Sequence, residues 1–222
     1  MAQPYSVQNP AQSALATNRV LRNTYLLLSM TLLFSAAMAY VAIAINMPPL
    51  GIWITLGGYF ALLFITSKLQ NSAWGLLAVF ALTGFLGLTF GPFINYYIQA
   101  LSNGAELVML ALGGTGVVFL TMSGIALTTK RDFSGMGQFL FMGIMVAFLA
   151  GLAAFFFNIP ALGLAVSAMF VLLMSGLILY QTQAIVRGGE TNYISATVTL
   201  FVAIFNLFSS LLQLLGFALG ED

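Results

Sequence analysis

The chain has 222 residues, of which 61% are hydrophobic and only 5% are charged, against about 25% charged residues in a typical soluble domain. A soluble fold of this size could not cover so much apolar surface with so few charges, which leaves an integral membrane protein. The absence of His and Cys excludes the usual zinc, haem and iron–sulfur ligands, thiol nucleophiles and His-based triads. We therefore expect no cofactor, no metal and no enzymatic activity, and the net charge of +1 gives no indication of nucleic-acid binding.

Seven stretches are long and apolar enough to cross the lipid bilayer as helices. Transmembrane β-strands would instead show alternation over about ten residues. The sequence thus predicts an all-α integral membrane protein, a seven-helix bundle. The expected spans are residues 24–45, 49–67, 74–98, 107–128, 136–157, 161–185 and 193–219.

The charges predict the orientation of these spans. All basic residues fall on the side of the bundle where the chain begins, and the opposite side holds only acidic residues. Because basic residues are enriched on the cytoplasmic side of membrane proteins, we expect an N-in/C-out protein. The basic set is Arg19, Arg22, Lys68, Lys130, Arg131 and Arg187, and the acidic set on the other side is Glu106, Glu221 and Asp222.

The chain begins with a polar segment over residues 1–18 that carries two prolines, many small polar residues and no charge. This composition predicts a disordered cytoplasmic tail ahead of a transmembrane domain over residues 19–222. The first span imitates a signal peptide, with small residues at Ala37 and Ala39. Its apolar stretch continues to Ile45, which favours an uncleaved first helix.

A short connector joins the last two spans. Arg187 suits the last turn of the sixth helix, and glycines at its end suit a C-cap. Thr191 or Asn192 suits the N-cap of the seventh helix. Capping alone accounts for this composition, and a functional role for Glu190 would need more than spacing. The connector motif consists of Gly188, Gly189, Glu190, Thr191, Asn192 and Tyr193.

Polar residues recur every seven positions along the seventh helix, at Asn192, Thr199, Asn206 and Gln213. Seven residues are nearly two turns, so these side chains form one stripe, which lipid cannot satisfy. We therefore predict that the seventh helix packs centrally. The stripe either makes interhelical hydrogen bonds or lines a hydrated path or ligand cavity, and the polar end of the sixth helix could meet it. The candidate polar interior comprises Tyr180, Gln181, Thr199, Asn206, Ser210 and Gln213.

Glycines cluster in the third and fourth spans. Small residues at a spacing of four, as in a GxxxG pair, allow two helices to approach closely, and Pro92 is expected to kink the third span. We interpret these glycines as packing sites, with a gating hinge as the minor alternative, and self-association stays open. The packing set is Gly84, Gly87, Gly91, Gly113 and Gly114.

Five short motifs resemble the bacterial inner-membrane branch of the Bax-inhibitor family of seven-helix membrane proteins. The resemblance runs from about residue 19 to residue 219, and the last motif is the most specific. It implies a non-enzymatic modulator, binding partner and slow substrate of the membrane protease FtsH, engaged through its cytoplasmic N-terminal tail. The motifs are LRNTY at 21–25, TGFLG at 83–87, ALGGT at 111–115, LTTKRD at 127–132 and GGETNYI at 188–194.

Other members of that family are leak channels for calcium or protons, and the resemblance implies this as an alternative function. Their pattern places one Asp after a Leu-Tyr pair in the sixth helix and another three residues before the Asn of the seventh. This chain has Gln181 and Ala203 at those positions. Because paired carboxylates titrate by sharing a proton, Gln and Ala cannot form such a gate, which weakens the channel alternative.

Overall fold

The computed structural model describes the backbone of residues 10–220 and the side chains of residues 15–220. Within this range the chain forms seven helices and no strand, and every helix is long and apolar enough to span a membrane. The predicted class is confirmed, and all but one of the predicted helix ends lie within about three residues of the observed ones. The helices are α1 Pro10–Ala44, α2 Ile52–Leu69, α3 Trp74–Ala100, α4 Gly104–Thr128, α5 Met136–Phe156, α6 Pro160–Val186 and α7 Tyr193–Leu219.

The start of α1 differs from the sequence-based expectation of a disordered tail. The helix begins at Pro10, so residues 10–18 are helical, whereas residues 1–9 lie outside the described part of the chain. Proline suits the first turn of a helix because its missing N–H is not needed there. Three alanines and Leu15 follow, and both residue types favour helix. The polar composition of the segment concealed this local preference.

The centre of the bundle is built around α7, as predicted. This helix packs against α1, α3, α4 and α6. The face of α7 that meets its neighbours is mostly apolar, and Leu200, Ala203 and Leu207 are fully buried there. Lipid is as apolar as these side chains, so close packing rather than the hydrophobic effect holds this core together.

Two helices lie at the periphery. Among the main helix contacts, α2 packs on α3 and α5 packs on α6. Their outer faces expose large apolar side chains, which suits contact with lipid hydrocarbon. The rings of Trp53 and Phe156 lie 6.0 Å apart, and those of Phe60 and Phe148 lie 5.8 Å apart, so aromatic contacts link α2 to α5.

Helices α1 and α3 approach each other closely, and the glycines of α3 make this approach possible. A Cβ atom built at Gly91 would lie 2.6 Å from Ala42 Cβ and 2.7 Å from the carbonyl oxygen of Ala39. Cβ atoms at Gly84 and Gly87 would likewise overlap atoms of α1. The GxxxG pair of α3 is therefore occupied by a helix of the same chain. We call this contact the α1–α3 seam.

The glycines of α4 do not serve the same purpose, which corrects the sequence-based interpretation. A Cβ atom at Gly113 would meet nothing within 4 Å. One at Gly114 would lie 3.5 Å from a methyl group of Leu211, an ordinary van der Waals contact. Spacing identified small residues in α4, but it did not show which face of the helix meets a neighbour.

The alternating helices place the connections at two ends of the bundle. At the end where α1 begins, Asn192 bonds to the α2–α3 connection and Arg187 bonds to the α4–α5 connection. At the opposite end, Asn103 Nδ2 donates to the carbonyl oxygen of Leu219 at 2.7 Å. The first of these is the basic end, and it holds Arg19, Arg22, Lys68, Lys130, Arg131 and Arg187. The acidic pair Glu221 and Asp222 lies outside the described residues.

Candidate functional site

The α6–α7 connector at the basic end turns the chain through a glycine in the left-handed region. Gly188 has φ +74°, a conformation that is strained for other residue types. Gly189 N donates to the carbonyl oxygen of Ala184 at 2.8 Å, and Gly188 N donates to that of Ile185 at 3.0 Å. These bonds satisfy carbonyls that the end of α6 would leave unpaired. The glycines thus cap α6, as the sequence suggested.

Asn192 starts α7 and also joins two connections. Its Oδ1 accepts hydrogen bonds from Ile194 N at 2.9 Å and Ser195 N at 3.1 Å, so Asn192 is the N-cap. Its Nδ2 donates to Gln70 O at 3.1 Å and to Asn71 Oδ1 at 2.8 Å. A single amide therefore caps α7 and fixes the α2–α3 connection beside it.

The carboxylate of Glu190 is engaged within the connector. Its Oε1 accepts from Asn192 N at 2.8 Å, and its Oε2 accepts from Ser195 Oγ at 3.0 Å. Thr191 is exposed, and Tyr193 is half-buried at the first position of α7. The geometry gives Glu190 a structural role in shaping the start of α7.

Arg187 connects α6 to the α4–α5 connection. Its Nη1 lies 3.2 Å from Asp132 Oδ2, and its Nη2 donates to Arg131 O at 2.7 Å and Lys130 O at 3.2 Å. The pKa of Asp132 lies below its ordinary value because the backbone and hydroxyl of Ser134 donate to the carboxylate, with a smaller effect of the Arg187 charge. Both partners of the ion pair are exposed, so the pair alone contributes little stability.

Gln183 makes the second link to the α4–α5 connection, and sequence reasoning missed it. Its Oε1 accepts from Phe133 N at 2.7 Å and its Nε2 donates to Arg131 O at 2.8 Å, while the residue is 3% exposed. The only signal in the sequence was a second glutamine in the polar run that ends α6. Together, Gln183, Arg187 and Asn192 join all three connections of the basic end, and we call these residues the connector hub.

The candidate polar interior does not form one path. Thr199 Oγ1 donates to Ser195 O, and Asn206 Nδ2 donates to Val202 O, so both bond to their own helix. Of the residues in this stripe, only Gln213 bonds to another helix: its Oε1 accepts from Ser167 Oγ of α6 at 2.7 Å.

Two separate cavities contain the ends of the stripe. Thr199 lines a cavity of about 270 Å³ between α2 and α7 near the basic end. Ser210 and Gln213 line one of about 730 Å³ at the opposite end. The polar residues therefore belong to two sites rather than to one continuous channel.

Among the described residues, the polar end of α6 makes no hydrogen bond to this stripe. Tyr180 is half-buried against the start of α5, where a Cβ atom at Gly137 would meet its ring. Gln181 is 7% exposed, and its Nε2 has no hydrogen-bond partner among the residues the structure describes. Tyr25 Oη and Thr182 Oγ1 lie 3.4 Å apart and connect α1 to α6.

In the described part of the chain, no three His, Cys, Asp or Glu side chains come together as a metal site.

Comparison with known proteins identifies the family to which this seven-helix chain belongs. The family model described as "Inhibitor of apoptosis-promoting Bax1" matches residues 17–219. The chain belongs to this family. The Bax-inhibitor family is a multi-span membrane family, which agrees with the seven apolar helices.

Similar members of the Bax-inhibitor family come from several bacteria. The Escherichia coli K12 protein named "Modulator of FtsH protease YccA" is 47% identical over 206 residues, 93% of each chain. A protein of Escherichia coli O6:H1 with the same identity and coverage is named "Inner membrane protein YccA". An uncharacterised Pseudomonas aeruginosa protein is 46% identical over 99% of each chain.

Two positions at which the family resemblance implies acidic residues are neutral and buried in this chain. Ala203 is fully buried in the centre of α7, and Gln181 is buried on α6. A neutral amide and a methyl group occupy the positions where the resemblance implies carboxylates. Within this Bax-inhibitor bundle, neither residue can titrate.

Proposed function

We propose that the protein is a non-enzymatic modulator of the FtsH protease, which binds the protease in the inner membrane and is also its slow substrate. The observation that carries this proposal is the 47% identity, over 93% of each chain, to the Escherichia coli protein named as a modulator of that protease. In this role the protein restrains degradation of other membrane proteins by occupying the protease.

We propose the basic end as the surface for this interaction. The connector hub ties three connections into one rigid platform, and α1 begins beside it. A Cβ atom at Gly188 would lie 3.9 Å from Thr17 Oγ1, so the first turns of α1 run close to the connector. We propose an N-in orientation, which places this platform and the N-terminal segment on the cytoplasmic side, where the protease would engage them.

Co-purification from solubilised membranes tests the binding step. A tagged full-length chain is expected to retain FtsH, and a tagged seven-helix protein of another family, expressed at the same level, is the control. If FtsH recovery with this chain equals recovery with the control, the binding proposal fails.

Turnover of truncated chains tests the degradation step separately. Removing residues 2–9 deletes what precedes α1, and removing residues 2–18 also deletes its first helical turns. Both variants are expected to be degraded more slowly than the full chain, while FtsH co-purification persists through the bundle. Unchanged turnover of both variants would contradict engagement through the N-terminal segment without affecting the binding result.

A calcium or proton leak channel is the second candidate. The observation that favours it is the buried amide of Gln181, whose Nε2 has no partner among the described residues. The neutral Gln181 and Ala203 argue against a pH-gated path. Purified protein in liposomes, compared with protein-free liposomes between pH 5 and pH 8, is expected to show no pH-gated flux. A flux that rises with pH in this range would support the channel instead.

A further inference from the structure

The cavity at the opposite end lies between α3, α5, α6 and α7 and has a volume of about 730 Å³. One wall is polar and comes from α6 and α7, through Ser167, Ser209, Ser210 and Gln213. The facing wall is aromatic and includes Phe90 of α3. We call this cavity the vestibule.

The depth of the vestibule follows from helix geometry. At a rise of 1.5 Å per residue, Gln213 lies about 9 Å and Ser209 about 15 Å below the end of α7 at Leu219. Phe90 lies about 15 Å below the end of α3 at Ala100 by the same measure. Helices of 27 residues are about 40 Å long, so the vestibule extends over more than a third of the length of α3 and α7.

The polar wall contains groups that the protein leaves unsatisfied. Gln213 Oε1 accepts from Ser167, but its Nε2 finds no acceptor among the described residues. The Ser210 hydroxyl also lacks a partner within that range, and the residue is 6% exposed. Unpaired polar groups facing hydrocarbon are costly, and water is the simplest partner that removes this cost.

The size and charge of the vestibule restrict what can enter. The volume of about 730 Å³ has room for many water molecules, each of which takes about 30 Å³ of liquid volume, and for a small solute. No Asp, Glu, Lys or Arg is among the residues that line the cavity. Nothing in this wall would attract an ion over a neutral molecule.

The inner end of the vestibule is blocked by aromatic rings. Phe90 contacts Phe205 at a ring distance of 5.0 Å and Phe208 at 5.6 Å. The fully buried Leu200 and Phe201 follow on α7 toward the basic end. We propose that the vestibule is filled with water, admits small uncharged polar solutes from the side of the membrane at the opposite end of the bundle, and ends blind within the membrane. This inference depends on the cavity alone and not on the proposed function.

Substituted cysteines test this directly, because the natural chain contains no Cys. The full-length variants Ser209→Cys and Gln213→Cys place a thiol on the polar wall, and Ser209→Cys is nearly isosteric, which preserves the fold. Leu212→Cys is the buried control, adjacent to Gln213 on α7. Leu149→Cys is the lipid-facing control, 59% exposed and about 10 Å below the end of α5. A membrane-impermeant thiosulfonate is applied to each side of the membrane in turn.

Because thiolates form and react in water, the two vestibule variants are expected to react at least about tenfold faster than both controls, from the side of the opposite end only. When the rate of each reagent is divided by its rate with a small free thiol, cationic and anionic reagents are expected to agree within about threefold, because no fixed charge lines the vestibule. Rates equal to those of the Leu149→Cys control, or reaction only with a lipid-soluble maleimide, would show a lipid-filled or closed cavity and overturn the proposal. A strong preference for the cationic reagent would overturn its uncharged character, and reaction from both sides would overturn its blind end.

Discussion

The α1–α3 seam makes a quantitative prediction for the substitution Gly91→Ala. The added Cβ would lie 2.6 Å from Ala42 Cβ and 2.7 Å from the Ala39 carbonyl oxygen, whereas carbon atoms in contact prefer about 3.5–4.0 Å. One of the two helices must therefore move by roughly 1 Å. Overpacking of this kind costs about 1–3 kcal/mol of the free energy of unfolding.

The matched control is Gly113→Ala, which makes the same chemical change in another helix. Nothing lies within 4 Å of that Cβ, so only the helix preference for Ala over Gly remains, and this stabilises by roughly 0.5–1 kcal/mol. The two substitutions are therefore expected to shift stability in opposite directions. The structural difference between them is one of environment, since both positions are helical glycines.

Thermal unfolding of purified protein in detergent measures this difference. At about 2–4 °C per kcal/mol for a chain of this size, Gly91→Ala is expected to lower the midpoint by about 2–12 °C. Gly113→Ala is expected to raise it by about 1–4 °C on the same scale. Adding Ala42→Gly to Gly91→Ala removes one of the two overlaps and is expected to restore part of the loss. Equal shifts for the two alanine variants, or no rescue, would refute the argument that the seam is closely packed.

The connector hub gives three further predictions, each measured by thermal unfolding. Gln183→Ala leaves the N–H of the half-buried Phe133 without its acceptor and is expected to lower the free energy of unfolding by about 1–3 kcal/mol, whereas substitution of the exposed Gln138 by Ala is expected to be neutral. Asn192→Ala is expected to lose about 1 kcal/mol through its cap alone, and Asn192→Asp less, because Asp still caps α7 but cannot donate to the α2–α3 connection. The pKa of Asp132 is lower in the folded chain than its ordinary value of 3.8, so the ionised carboxylate stabilises the fold above that value, and this stabilisation is lost as the pH falls through the lower folded pKa. The difference in unfolding midpoint between wild type and Asp132→Asn is therefore expected to disappear at a pH below the folded pKa.

Each of these predictions has an outcome that contradicts it. Equal effects of Gln183→Ala and Gln138→Ala would show that the buried amide does not hold the α4–α5 connection. An Asn192→Asp variant as unstable as Asn192→Ala would show that the side-chain cap of α7 does not contribute to stability. A midpoint difference for Asp132→Asn that persists unchanged into strong acid would mean that ionisation of the carboxylate is irrelevant.

Much of the fold was predictable because a helix that spans the bilayer needs a long continuous apolar stretch, which is visible in the sequence. Apolar runs of the required length located all seven helices, and residue types at the helix ends indicated the glycine cap of α6 and an N-cap of α7 at either Thr191 or Asn192, of which the structure shows Asn192. The start of α1 was not located, because helix preference over residues 10–18 was hidden by polar composition. These signals are local, so a single sequence contains them.

The contacts between distant segments were not predictable in the same way. Gln183 bonds to a connection 50 residues away, and no pattern around it distinguishes it from Gln181. Gly91 and Gly113 look equivalent in sequence, yet only Gly91 meets another helix. The heptad stripe correctly indicated polarity within the membrane, but not that Thr199 and Gln213 would line different cavities. Such features depend on which helix faces meet, and that is settled by the packing of the whole bundle.

The length of α1 has a mechanical consequence. Its 35 residues make a rod of about 52 Å, longer than a hydrocarbon core of roughly 30 Å, so about 20 Å of it projects beyond the membrane. A force applied at its free end acts along the helix axis and loads the α1–α3 seam in shear. Shear strains all of the seam contacts at once, whereas peeling would break them one by one. Under the proposed function, the helix that the protease engages first is therefore the one held in place by the α1–α3 seam.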